Sequence, residues 1–288
     1  VSPAVRAVVA AVASGVDTAA VPSNLDPPLV RAAADRALPF RNGCNNAYKD
    51  AGVRSCTSGD PAGATTVVLF GDSHAAQWFP ALDAVARQRG WKLVTLTKAV
   101  CPPVALPVWS PVLRRPFREC DAWRSAVLER LRAERPALVV FGSARHYSAD
   151  YRFRMYGPEW LDGLRRMVAE VRATGARVAV LGPMPRFEFN VPECIADHTG
   201  DVRACVRPLE ATVDAGGAAG ERRAAEDAGA GYVDVHPWIC TTTTCAVIVG
   251  NLLVYRDDNH VTTTYASWLA PVFGEALEAV LASPVPPS

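Results

Sequence analysis

TTVVLFGDSHAAQW, residues 65–78, holds a strand, a sharp turn and the start of a helix in one short stretch. Val67, Val68, Leu69 and Phe70 form a β-branched and apolar run that reads as a buried strand, because a strand covered on both faces loses its polar alternation. The run stops at Gly71-Asp72-Ser73-His74 and passes into a helix-like segment. Ser73 therefore sits between the carboxyl end of a strand and a helix N-terminus, at the rim of an α/β sheet where substrates bind. The first N–H groups of such a helix lack intrahelical partners and can face an oxyanion formed at the serine.

Outward from this stretch the pattern repeats. KLVTLT (92–97), PALVVFG (136–142), RVAVLG (177–182) and GYVDV (231–235) read as further strands. Helix candidates lie between them at about 76–90, 118–134, 158–174 and 206–228. Alternation of this kind predicts a three-layer α/β/α sandwich around a central, mostly parallel sheet of about five strands. AVIVGNLLVYRD (246–257) reads as a hairpin turning at Gly250-Asn251, and a last helix is expected over about 262–282, with Thr262, Thr263 and Thr264 available to cap it. Residues 1–60 are rich in Pro, Ala and Asn with weak periodicity, and read as an irregular N-terminal wrap with one or two short helices. The tail PVPPS reads as a solvated end or linker stub.

The chain has 288 residues, 50% of them hydrophobic, which suffices for one large core. A net charge of +1 and a pI of about 7.7 give no sign of a nucleic-acid binder or a polybasic membrane surface. No run reaches the roughly 18 apolar residues of a membrane span. The apolar start is interrupted by Arg6 and lacks a basic lead-in, so it does not read as a signal peptide, and a first residue other than Met is what a fragment of a longer protein would show. Eight cysteines fall into four sequence-local couples: Cys44 with Cys56, Cys101 with Cys120, Cys194 with Cys205, and Cys240 with Cys245. An even count in close couples points to disulfides in loops and to an oxidising compartment. A metal reading is weaker, because there is no C-x-x-C pair and neither His198 nor His236 has a partner at finger-like spacing. Nothing in the sequence calls for a cofactor.

A serine nucleophile needs an imidazole to take its proton and an acceptor to orient that imidazole. Asp257-Asp258-Asn259-His260 offers both, with Asp257 and His260 three residues apart so that a turn can set the carboxylate beside the ring. The order Ser, Asp, His is shared with α/β-hydrolases, but there the serine sits mid-sheet within G-x-S-x-G. Here it follows the first strand of the repeating core, and Ala75 stands at the fifth motif position. Asp258 rivals Asp257 as the orienting acid; the motif spacing favours Asp257.

VLFGDSHAAQW and DDNHVT resemble the first and last blocks of the SGNH (GDSL-like) hydrolase superfamily. With LTKAVCPP (96–103), LGPMPRF (181–187), YRDDNHVT (255–262) and the early SNLDPPLVRAAAD and NGC segments, the chain is similar, over roughly residues 22–283, to the extracytoplasmic SGNH domain fused to acyltransferase-3 membrane proteins, which O-acylate cell-envelope glycans. The resemblance implies an SGNH-like catalytic domain over 61–283, with Ser73 as nucleophile, His260 as general base and acid, and Asp257 as orienting acid. It also implies an oxyanion hole including the Ser73 N–H. The superfamily's Gly and Asn donors are absent, since Lys98-Ala99-Val100 and Gly142-Ser143-Ala144-Arg145 stand in those places. A backbone N–H near Ala99, and Ser143 or Arg145, are the expected substitutes. The implied reaction moves an acetyl or short acyl group to a cell-envelope carbohydrate. The implied partner is a membrane acyltransferase-3 domain on the same full-length chain, at the outer face of a bacterial cytoplasmic membrane. A carbohydrate O-acyl esterase with the same triad and a non-catalytic glycan-binding module remain alternatives.

Other residues carry two readings each. Asp72 reads chiefly as a turn residue bonding its own backbone, with a catalytic role as the alternative. His74 could line the pocket or pack at the helix start. His146 could touch substrate or be a solvated loop residue, and Arg145 could bind an anionic group or form an ion pair. Trp78 reads as a core residue of the first helix, with a pocket wall as the alternative.

Overall fold

The computed structural model describes residues 1–54 and 56–283; the PVPPS tail lies outside them. The central sheet contains the expected strands and two short additions from the N-terminal segment: β1 (Asn45–Asn46), β2 (Thr57–Gly59), β3 (Thr65–Gly71), β4 (Trp91–Lys98), β5 (Leu138–Gly142), β6 (Arg177–Leu181) and β7 (Gly231–Val233). Their order is β1-β4-β3-β5-β6-β7, with all neighbours on that path parallel. β2 lies antiparallel on the same side of β4 as β1, pairing with its first half while β1 pairs with its end. The N-terminal segment is thus part of the sheet rather than an irregular wrap alone. It also begins with a full helix, α1 (Pro3–Gly15), capped by the Ser2 hydroxyl, which accepts from the Val5 N–H.

Further helices are α2 (Ser73–Ala76), α3 (Phe79–Arg89), α4 (Arg118–Glu134), α5 (Pro158–Arg172), α6 (Ala215–Asp227), α7 (Thr263–Trp268) and α8 (Ala270–Ala282), with a seven-residue helix over Val191–Asp197 and shorter turns between them. Side chains alternate across β3. Val67 and Leu69 pack with Val8 and Val12 of α1, Leu82 and Val85 of α3, and Phe273 and Leu277 of α8. Val68 and Phe70 pack with Trp123 and Val127 of α4 and with Leu164 and Val168 of α5. The result is the α/β/α layering that the apolar strand runs imply. The 206–228 segment is not one helix: a two-residue strand at Arg207–Pro208 and a turn at Leu209–Thr212 precede α6, whose start is fixed by Asp214 accepting from the Gly217 N–H. The last helix likewise divides at Leu269, with Pro271 in the first turn of α8, and Thr262 caps α7 by accepting from the Tyr265 N–H.

The hairpin pairs Ile248–Val249 with Leu252–Leu253 and turns at Gly250, which adopts a left-handed φ of 61°. The four cysteine couples are all bonded. They are not confined to loops, because Cys120 lies in the first turn of α4 and Cys194 in a helix over Val191–Asp197. No helix among the described residues is long and apolar enough to cross a membrane.

Chain connections leave β3 toward β4 on one side and reach β5 on the other, so the carboxyl ends of β3 and β5 flank a switch point of the sheet, where α/β proteins form their crevices. The two strand ends approach closely. A Cβ on Gly142 would stand 2.6 Å from the Ala75 Cα, and one on Gly71 would run into the Gly142 carbonyl. Glycine at both places lets the start of α2 sit directly on the end of β5.

Candidate active site

Ser73 opens α2 immediately beyond β3, half-buried, and its N–H has no preceding helical carbonyl to donate to. The turn that presents it is held by Asp72, which is 1% exposed. Its carboxylate accepts from the His74 N–H at 2.8 Å, the Ala144 N–H at 2.9 Å, the Ser143 hydroxyl at 3.2 Å and the Tyr147 hydroxyl at 2.6 Å. Asp72 is therefore the knot that ties the Ser73 turn to the loop after β5. Its use of both oxygens accounts for a buried carboxylate without a cation beside it.

The segment Tyr255–Val261 closes on itself through an antiparallel bridge between those two residues and a bond from the Arg256 N–H to the His260 carbonyl. Inside it, Asp257 Oδ1 accepts from the N–H groups of Asn259 (2.9 Å) and His260 (2.6 Å). That Asx-type turn brings Asp257 Oδ2 to 2.9 Å from His260 Nδ1. The opposite ring nitrogen, Nε2, lies 3.0 Å from Ser73 Oγ. With Nδ1 donating to the carboxylate, Nε2 is left as the acceptor for the serine proton. The structure thus brings Ser73, His260 and Asp257 into one hydrogen-bonded chain. Asp258 stands outside that chain and pairs with Arg186 at 3.3 Å.

Burial by itself would raise the Asp257 pKa. The hydrogen bond from His260, the His260 charge, the Asn259 N–H and the nearby Arg256 outweigh it and hold the carboxyl at about 2. A depressed carboxyl pKa adds stability that is fully present above the group's ordinary value of 3.8 and is lost as pH falls through about 2. Asp257→Asn is therefore expected to flatten the acid-unfolding curve between about pH 4 and pH 2 while leaving stability near pH 7 lower than in the parent. Circular dichroism against pH checks this, and an unchanged slope in that window would refute it.

The second and third expected oxyanion donors are used elsewhere. The Ala99 N–H continues the pairing of β4 with β1 and donates to the Asn46 carbonyl at 2.9 Å. The Ser143 hydroxyl donates to Asp72 and also lies 3.1 Å from the Ala144 carbonyl. Arg145 is not poised for substrate either. Its side chain is buried, pairs with the fully buried Glu221 at 2.8 Å, and also donates to the Leu181 and Ser143 carbonyls. Trp160 Nε1 donates to the same Glu221 carboxylate. Lys98, beside Ala99, is buried as well, and its ammonium donates to the carbonyls of Ala47, Tyr48 and Asp50. Burial lowers its pKa to about 8 against the opposing charges of Asp50 and Glu119.

His74 is buried rather than exposed to the pocket. Its ring lies 4.6 Å from that of His260 and 5.2 Å from that of His146 (centroid to centroid). His146 is exposed and, with Arg186, Glu188, Glu210 and Asp214, lines an open groove of about 590 Å³ beside the site. On another side, the N-terminal segment contributes Phe40, whose ring meets His260 edge-on at 6.4 Å beneath the Arg256 guanidinium. Trp78 is a core residue, packed on Trp238 and Phe273. His198 bonds the Cys194 carbonyl and His236 faces Asp234, outside the Ser73 constellation.

Sequence reasoning did not single out Phe40, Gln77, Tyr147, Glu221 or Asn259. Gln77 and Asn259 stood inside the quoted motif stretches VLFGDSHAAQW and DDNHVT, but nothing in the sequence set them apart there.

A sheet of this order, with a serine at the first core strand and an Asp-x-x-His segment before the last helices, defines an SGNH-type α/β domain. Residues 43–275 match the family described as "SGNH domain (fused to AT3 domains)", and the chain belongs to that family. Among solved structures the chain is similar to the periplasmic domain of the lipopolysaccharide acetyltransferase of Salmonella ser. Paratyphi A, at 16% identity over 76% of this chain and 86% of that one, with a TM-score of 0.57. It is also similar to a putative acylhydrolase from Bacteroides fragilis, at 16% identity over 76% of this chain and 89% of that one, TM-score 0.45. A GDSL-like lipase from Bacteroides thetaiotaomicron follows at 15% identity over 75% of this chain and 88% of that one, TM-score 0.42. No match was found among curated proteins.

Proposed function

We propose that this domain is a serine-dependent O-acyltransferase that moves an acetyl or short acyl group onto a carbohydrate of the cell envelope. The observation that carries the reading is the chain Ser73 Oγ–His260 Nε2 (3.0 Å) and His260 Nδ1–Asp257 (2.9 Å). In the first half-reaction Ser73 Oγ attacks the acyl carbonyl and passes its proton to His260. The donor's leaving group departs with that proton, leaving an acyl-serine. In the second, a sugar hydroxyl gives its proton to His260 and attacks the ester, and the proton returns to Ser73 Oγ as the acylated sugar leaves. Asp257 keeps the ring oriented and steadies the imidazolium in both halves. The Ser73 N–H is the oxyanion donor supplied by the nucleophile turn itself. The groove at His146 and Arg186 is the proposed path of the acceptor.

Membership of a family fused to AT3 domains supports a membrane acyltransferase-3 portion of the same full-length protein as the acyl donor, and the periplasmic lipopolysaccharide acetyltransferase domain supports an envelope acceptor. Four disulfides with no free cysteine among the described residues support an extracytoplasmic location. One observation favours a second reading. With Ala99 and Ser143 engaged elsewhere, the oxyanion site is sparse, as in a slow esterase or a glycan-binding module.

The test is incubation with p-nitrophenyl acetate, followed by peptide mass analysis and addition of candidate sugars. An acetyl group on the Ser73 peptide that passes to sugar supports the transferase. Release as acetate alone supports the esterase, and no acetylation of Ser73 supports the binding module.

A further inference from the structure

We infer that His74 and Gln77 are positioning residues that hold the residues on either side of His260 and thereby set its distance to Ser73; this rests on the Ser73–His260–Asp257 reading above. Both come from the turn of helix that Ser73 begins, so nucleophile and clamp are one piece of backbone. The Val261 N–H donates to Gln77 Oε1 at 2.8 Å. A backbone N–H can only donate, so it fixes the orientation of the Gln77 amide, and the amide nitrogen then faces His74 Nδ1 at 3.3 Å. His74 Nδ1 must accept, which leaves the ring proton on Nε2, 3.0 Å from Asn259 Oδ1. The Asn259 amide nitrogen in turn donates to Asp258 Oδ1 at 2.7 Å, and Asp258 can only accept while ionised.

Donor and acceptor roles therefore run in one direction from Val261 to Asp258, and every member is satisfied. His260 lies between the two anchored neighbours, Asn259 and Val261. The scheme requires a neutral His74, since a second ring proton on Nδ1 would oppose the Gln77 amide. Its surroundings favour neutrality: burial comes first, then the neighbouring His260, His146 and Arg145, and together they hold its pKa well below the ordinary value against the hydrogen bond to Asn259. Asp72 meets His74 only at its backbone N–H. A neutral ring tilted at 40° to that of His260 also leaves His260 free to take up the serine proton without a like charge at its side.

The test compares the parent with His74→Leu, His74→Gln, Asn259→Ala and the His74→Leu/Asn259→Ala pair in ester turnover, with Ser73→Ala as reference. A misplacement of about 1 Å costs on the order of 100-fold in rate, so His74→Leu is expected to lower kcat about 30- to 100-fold with KM within about twofold. His74→Gln, whose amide nitrogen reaches the Nε2 position, is expected to recover activity to within about fivefold of the parent. The double variant is expected to be no slower than the slower single one, because both remove one link. The inference is overturned if His74→Leu retains kcat within about threefold of the parent, or if the two single losses multiply in the pair. It is also overturned if Gln fails to rescue. Should His74→Leu not fold, Asn259→Ala and His74→Gln alone decide the matter by the same kcat criteria. Activity of Ser73→Ala equal to the parent would instead bring down the underlying triad, and the clamp with it.

Discussion

Ser73→Ala is expected to reduce turnover of p-nitrophenyl acetate by about 10⁴- to 10⁶-fold, to whatever the remaining binding groups supply over water. The size follows from the proposed role: Ser73 Oγ would take the acyl group, and His260 and Asp257, bonded in series behind it, would act through it. The fold should survive, because Ser73 is at the first helical position, where the Asp72 carboxylate caps the turn by accepting from the His74 N–H rather than from Ser73. Steady-state kinetics with a thermal melt on the same sample checks both halves. Turnover within tenfold of the parent in a folded variant would remove Ser73 from the chemistry.

Glu221→Ala is expected to cost about 3–5 kcal/mol of stability, the range for leaving one member of a buried ion pair uncompensated. Glu221 is 0% exposed and accepts from Arg145 through two guanidinium nitrogens and from Trp160 Nε1. Burial alone would weaken the Arg145 hold on its proton, and the Glu221 charge overrides it and raises the guanidinium pKa; the truncation removes that support and leaves a guanidinium, which stays charged in proteins by its own basicity, buried without its counter-charge. Truncating Glu170, whose pair with Arg132 is about half exposed on both sides, is the matched control and should cost at most about 1 kcal/mol. Urea unfolding with a lowered midpoint and unchanged slope for Glu221→Ala, and little movement for Glu170→Ala, is the expected pattern. Similar midpoints for the two variants would show that the buried pair does not hold the β5 loop to α6.

The core sheet was legible because parallel strands covered on both faces must be apolar throughout, and VVLF, LVVF and RVAVL announce themselves. β1 and β2 were not, since Asn45-Asn46 and Thr57-Ser58-Gly59 have no strand signal of their own and pair only because β4 offers an edge. The split of the 206–228 segment turns on Asp214, whose capping role competes with continuing a helix and is not separable by periodicity. In the site, Asp257 and His260 were readable because one turn sets their spacing. The neighbours of Ala99, Ser143 and Arg145 were not. Each is occupied by a partner far away in sequence: Asn46, Asp72 and Glu221 respectively. A buried glutamate in an alanine-rich helix looks, in one dimension, like any solvated one. Gln77 and Asn259 became meaningful only once the two ends of the chain met.

The tandem placement of β1 and β2 along β4 has a colloidal consequence. Together they cover the hydrogen-bonding groups along one margin of the sheet, and the Cys44–Cys56 bond joins the residue just before each. Were that cross-link reduced and the short strands released, the eight residues of β4 would offer an open strand edge to any extended polypeptide nearby, the circumstance that leads to strand addition between molecules. The Cys44–Cys56 bond thus guards this margin of the sheet against strand addition between molecules, and its reduction is the condition under which the domain becomes vulnerable to it.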